Sequence, residues 1–210
     1  MICLSIGQAS VEECIDIIKD TELAEIRLDL NIYTDDELEL IFSSHKNLIA
    51  TCREGKYTSD ERKLLVAKAI KSGAKYIDLE LTNDYTMNGF LANTAKMSEC
   101  KVIISYHNYE NCPNIKNLHE IVNRCFDNHA DIAKVVCKVN SFKDNSNIMS
   151  LYEKDRSIIA LGMGNLGKIT RVAAPFLGAP FTYAYPQGRK RTAEGQFSEL
   201  KIKEIINLIS

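Results

Sequence analysis

One pattern runs the length of the chain: short runs of branched and aromatic apolar residues alternate with stretches long enough, and periodic enough, to be helices. The strand-like runs are ICLSI, LAEIRLDL, NLIATCR, KYIDLEL, KVIISYH, DIAKVVCKV, SIIALGM and PFTYAY. Between them lie helical segments such as SVEECIDIIKD, DDELELIFSS, SDERKLLVAKAIKSG, NLHEIVNRCFDN and the terminal QFSELKIKEIINLIS. Several open on a Ser or Asp able to cap a helix, and KSG supplies a glycine stop. Connections of that length argue against hairpins, which need only about two to five residues, and favour parallel strands. Eight such units of roughly 26 residues each predict a compact (β/α)8 barrel, a TIM barrel in one domain over residues 1–210, although such barrels typically take about 250 residues. An open doubly wound sheet is the rival, but it carries a Gly-rich turn after its first strand, and SIGQAS offers one glycine there.

Composition narrows the partners. With 26 Lys and Arg against 28 Asp and Glu, the net charge of −2 supplies no field for nucleic acid or an anionic membrane surface. The basic run Arg189, Lys190, Arg191 is read as a solvated loop. MICLSIG has no charged leader, and no long apolar stretch follows it, so neither a signal peptide nor a membrane span is expected. Seven cysteines, an odd number with no C-x-x-C pair and no Cys/His cluster at zinc spacing, point to free thiols in a reducing cytoplasm. Cys3, Cys52, Cys100 and Cys137 fall in apolar runs and are expected to be buried.

Strand side chains alternate with period two, and in this chain the second face is charged. LAEIRLDL sets Glu25, Arg27 and Asp29 opposite Ala24, Ile26 and Leu28, and NLIATCR sets Thr51 and Arg53 opposite Ala50 and Cys52. In the same way Asp78 and Glu80 share a face, as do Ser105 and His107, and as do Ile132, Lys134, Val136 and Lys138. A half-exposed antiparallel sheet would show the same alternation, but the helix-length connections argue against it. Enclosed in a barrel, these charges must form a hydrogen-bonded network or a ligand site, because an unpaired buried charge is too costly to keep.

The residue types point to amine and imidazole chemistry. A free lysine with a pKa near 10.4 is only about one part in 2,500 unprotonated at pH 7. Apolar neighbours and nearby cations raise that fraction, and Lys134 lies between Ile132 and Val136 on its own face, a setting suited to a Schiff-base lysine. Strand parity alone does not choose Lys134 over Lys138. His107 ends the fifth run, at the end of the strands where barrel active sites assemble, and imidazole moves protons in either direction near neutrality. His45, His119 and His129 fall in helical or loop segments and are read as surface or structural residues. Arg27, Arg53 and Arg171 suit a small anionic, oxygen-rich substrate, since guanidinium grips carboxylate through two parallel hydrogen bonds.

Taken in order, EIRLD, TCRE, IDLEL, ISYHNYE, ADIAKV, GMGNLGKITR and TAEGQ resemble the type I 3-dehydroquinate dehydratase family over nearly the whole chain. The resemblance implies a (β/α)8 barrel that forms a homodimer, uses neither metal nor cofactor, and dehydrates 3-dehydroquinate to 3-dehydroshikimate in the shikimate pathway. It assigns Lys134 the condensation with the substrate ketone, the ADIxK match choosing it over Lys138. His107 becomes the base that removes the adjacent proton and returns one to the departing hydroxyl. Glu54 corresponds to the family's carboxylate that orients the histidine, across a loop shorter than the family's. Ser5, Glu25, Arg27 and Arg53 resemble the residues that grip substrate hydroxyls, and Arg171, Thr192 and Gln196 resemble the clamp on its carboxylate.

The chain departs from the family pattern in places. Thr192 stands where serine is common, and Ala193-Glu194-Gly195 replaces Ala-Pro-Gly in a loop read as a lid. ICLSI is read as the first strand, so the N-terminal hairpin of longer members is not expected ahead of it. Two other readings compete: a lysine-imine barrel lyase of aldolase or transaldolase type, and a ligand-binding barrel without turnover. Lys134 and His107 together count against the second.

Overall fold

All eight predicted strands form, mostly trimmed by a residue or two at their ends. The computed structural model describes residues 1–153 and 155–209. In chain order the elements are β1 (Ile2–Ile6), α1 (Val11–Ile18), β2 (Leu23–Arg27), α2 (Asp35–Ser44), β3 (Leu48–Thr51), α3 (Ser59–Lys71), β4 (Tyr76–Glu80) and α4 (Tyr85–Met97). They continue with β5 (Lys101–Asn108), α5 (Ile115–Asp127), β6 (Ile132–Lys138), α6 (Phe142–Met149), β7 (Ile158–Met163), α7 (Lys168–Ala173), β8 (Thr182–Ala184) and α8 (Glu199–Ile209). The last residue of the predicted terminal helix, Ser210, lies outside the described residues. Every paired strand is parallel, in the order β7-β6-β5-β4-β3-β2-β1-β8, so the sheet curls into a nearly closed barrel. The second predicted strand is cut short: Leu28–Leu30 turn into a single 3-10 turn, which takes Asp29 off the strand's alternation.

Helix starts follow local chemistry. Ser10 with Glu13, Thr34 with Glu37 and Thr58 with Glu61 each form a reciprocal capping box, satisfying backbone N–H groups the first turn would otherwise leave open. For α2 and α3 the cap is therefore a threonine one residue ahead of the Asp or Ser that the sequence suggests. Gly73 ends α3 at φ +110°, a left-handed backbone that glycine adopts without strain.

Two apolar layers result from the alternation. Ala24, Ile26, Ala50, Ile77, Ile104, Val135 and Cys137 point outward and pack beneath the helices. Cys3, Leu23, Ile49, Ile103, Ile132, Ile159, Phe181 and Tyr183 point inward and plug the barrel. Cys3, Cys52, Cys100 and Cys137 are buried as expected, and all seven thiols are free. Above the inner plug, toward the C-terminal ends of the strands, the interior turns polar.

Candidate active site

The polar layer is held together by carboxylates on β2 and β4. Asp78 is fully enclosed and accepts from Nζ of Lys134 at 2.8 Å, while Nη2 of Arg53 lies 2.9 Å away. Its second oxygen accepts from the Ser105 hydroxyl at 2.6 Å, and that hydroxyl accepts from Nη1 of Arg53 at 2.9 Å. Glu25 accepts from Ser5 and, at 2.9 Å, from Thr51, with Nζ of Lys134 3.8 Å away. Burial pushes the Asp78 carboxyl up, but Arg53 and Lys134 overcome it and hold the group well below the usual carboxylate range. Lys134 therefore sits among carboxylates as well as beside Val136, a more anionic setting than its strand neighbours alone indicate.

Lys134 and His107 open into one cavity of about 290 Å³, at the small end of the range for ligand pockets. Ser105 is the cross-strand partner of Lys134, which places His107 one inward position further toward the mouth. Burial first, and the Arg53 cation second, lower the His107 pKa and favour the neutral imidazole, the form that can accept a proton. Lys138 lines the same cavity at its rim, where its side chain is 30% exposed and its amine donates to Glu194 at 2.6 Å. Depth thus separates two lysines that parity cannot: the side chain of Lys134 is 7% exposed.

The histidine's carboxylate differs from the one expected. Nδ1 of His107 lies 2.8 Å from Oε1 of Glu80, an approach off the line of the ring N–H, and the same oxygen is 2.8 Å from Nη1 of Arg53. Glu54, assigned this duty by the resemblance, is 66% exposed on its side chain and reaches Arg62 at 3.4 Å. The physical reason is strand direction: Glu80 ends β4 on its inward face, whereas Glu54 follows β3 in a turn that leads outward to α3. Glu80→Gln is expected to lower kcat by about ten- to a hundredfold and to move the acid limb of the kcat profile to lower pH, because the imidazolium loses its counter-charge. Glu54→Ala should stay within about twofold of the wild type, and kcat measured against pH for both variants checks the pair.

The other expected residues divide by how free they are. Arg27 spends one edge of its guanidinium on Asp29, at 2.9 and 2.6 Å, and Arg53 is held by Asp78 and Glu80. Both still line the cavity. Thr192 lies 2.8 Å from the Ser5 hydroxyl and 3.1 Å from Oε1 of Gln196, and that oxygen also accepts from the backbone N–H groups of Thr192 and Ala193. Gln196 therefore shapes the loop with its carbonyl end. Gly195 lets the loop close down at φ +82°, since a Cβ there would stand 2.6 Å from the carbonyl oxygen of Gly164.

Arg171 is different. It is 2% exposed, its Nε has no hydrogen-bond partner, and no carboxylate pairs with it among the described residues. Burial alone lowers its pKa to about 10, so at pH 7 it remains a cation, facing the cavity and without a counter-ion. Among the described residues no group of three or more His, Cys, Asp or Glu is placed to hold a metal ion, and no helix is long and apolar enough to cross a membrane.

A parallel barrel that gathers an enclosed amine, a neutral imidazole and an unpaired guanidinium at the C-terminal ends of its strands defines a (β/α)8 barrel enzyme for a small anionic substrate. The chain belongs to the type I 3-dehydroquinase family, a family of hydro-lyases, whose model matches residues 2–210. It is 35% identical over 221 residues to the 3-dehydroquinate dehydratase of Methanococcus vannielii, and 33% identical over 220 residues to that of Methanocaldococcus jannaschii. All of this chain is covered in both cases, with 100% and 99% of the relatives. The fold matches a crystal structure of the type I enzyme from Clostridium difficile with a TM-score of 0.85 at 23% identity, over 99% of this chain and 91% of that one. The family match separates this chain from the aldolase-type lyases that the residues alone left open.

Proposed function

We propose that this chain dehydrates 3-dehydroquinate to 3-dehydroshikimate through an imine on Lys134. The placement of Lys134 and His107 in one cavity carries the reading, because nucleophile and base must touch the same small molecule. Neutral His107 takes a proton from the lysine, and Nζ attacks the substrate ketone. His107 returns that proton to the carbinolamine hydroxyl, which leaves as water, and the resulting protonated imine draws electrons and acidifies the neighbouring C–H bond. His107 removes that proton and delivers one to the departing hydroxyl, so one water leaves across the new C=C bond. Hydrolysis of the imine releases product and frees Lys134.

Arg171 supports the choice of substrate class. A buried cation without a partner costs several kcal/mol, and a ligand carboxylate offsets that cost by pairing with it. Ser5, Glu25, Arg27 and Arg53, with Thr192 and Gln196 on the lid loop, then stand around the hydroxyls and carboxylate of the same ligand. The Lys138–Glu194 pair ties the lid loop to β6, so the departure from the family's proline adds a contact across the mouth. We place the chain in the cytoplasm as a homodimer, the compartment suiting seven free thiols. Sedimentation at micromolar concentration reads the assembly.

Incubating the protein with 3-dehydroquinate and following the ultraviolet absorbance of the conjugated enone tests the reading. A steady rise that scales with protein is expected. A flat trace from folded protein would end the proposal.

A further inference from the structure

We propose that the aromatic face of Tyr183 is a working part of this site, lying against the Lys134 nitrogen and stabilising the positive charge it carries as the protonated imine. The inference rests on the imine reading above and assigns a residue that the sequence motifs pass over.

Tyr183 is the middle residue of β8, in register with Cys3 of β1, and points into the barrel, where it is 3% exposed and lines the cavity. Nζ of Lys134 stands 4.1 Å from the centre of its ring. The ring's tilt is set from behind: Phe181 meets it edge-on at 5.6 Å, and Tyr76 meets Phe181 edge-on at 6.0 Å. The hydroxyl does not anchor it. It is buried and, among the described residues, has no hydrogen-bond partner, so the polar end of the side chain does not explain why an aromatic ring stands here.

The face explains it. Lys134 as an ammonium has three N–H donors, and one meets Asp78 at 2.8 Å. On condensation the nitrogen becomes planar and keeps one N–H, whose direction is fixed by the substrate carbon. The bond to Asp78 then depends on orientation, whereas attraction to a π face depends mainly on the charge lying over the ring. Tyr183 thus retains its hold on the nitrogen through a step that reduces its donors from three to one. Enclosure strengthens the effect, since a cation over a ring gains most where water is excluded.

Fluorination separates this role from packing, because fluorine withdraws charge from the face while leaving the ring's shape nearly unchanged. The full-length protein is made with phenylalanine, 4-fluoro-, 3,5-difluoro- and 3,4,5-trifluorophenylalanine at position 183. Each is mixed with 3-dehydroquinate and borohydride, and the initial rate at which the reduced adduct appears on Lys134 is read by mass. The rate is expected to fall stepwise along the series, to roughly a tenth at the trifluoro member, with the melting temperature level throughout. A rate that stays flat from phenylalanine to the trifluoro ring overturns the role of Tyr183. Wild-type protein that gives no Lys134 adduct instead removes the imine reading, and the inference falls with it.

Discussion

Lys134→Ala is expected to lower kcat by at least about four orders of magnitude and to abolish borohydride-dependent labelling by substrate. The expectation is large because, among the described residues, no other amine has the same position. Lys134 is enclosed at the level where Asp78, Glu25 and Tyr183 surround its nitrogen, and it opens into the cavity shared with His107 and Arg171. Lys138 cannot substitute. Its amine sits a further two inward positions toward solvent and is committed to Glu194. Lys138→Ala should therefore keep substrate-dependent labelling on Lys134 while loosening the lid loop. Peptide mapping of the reduced adduct in wild type and both variants reads the result. Label appearing on Lys138 in the Lys134→Ala protein would show that depth does not select the nucleophile.

Asp78→Ala should destabilise the fold by roughly 3–5 kcal/mol, besides removing activity. The carboxylate stands between two enclosed cations, Lys134 at 2.8 Å and Arg53 at 2.9 Å, and its removal leaves the two facing each other, Arg53 held by Glu80 alone and Lys134 by the more distant Glu25 at 3.8 Å. For a chain of this length that corresponds to a melting temperature lower by roughly 10 °C, readable by calorimetry. The same group sets a pH dependence. Its folded-state pKa is depressed, so its contribution to stability is fully present above the unfolded value near pH 4 and is lost as pH falls from there toward the lower folded value. Wild-type stability should decline through that acid range, and Asp78→Asn should flatten the decline. Equal acid slopes in the two proteins would show that Asp78 is not the group responsible.

Much of this molecule is legible in the linear order of its residues. The eight strands and their two faces follow from period-two alternation, and the inward set of Glu25, Arg53, Asp78, His107 and Lys134 follows from parity alone. What escaped has identifiable causes. Thr34 and Thr58 cap α2 and α3, although Asp35 and Ser59 are equally good caps one position later in the sequence. Asp78 and Glu80 share the inward face of IDLEL, but nothing in the linear order shows that Glu80, and not Glu54, stands beside His107. Tyr183 was hidden within PFTYAY, because a buried aromatic on a barrel strand reads as core until something charged is seen above it.

The boundary between the two kinds of knowledge is physical. Side-chain alternation and capping are local, decided by residues within a turn or a strand, so the linear order contains them. Which carboxylate meets His107, which lysine lies deep and which buried arginine has no carboxylate beside it among the described residues depend on pairings such as Lys134 with Asp78, 56 positions apart. Those pairings depend on barrel curvature and strand register, which bring distant positions together only when all the strands assemble.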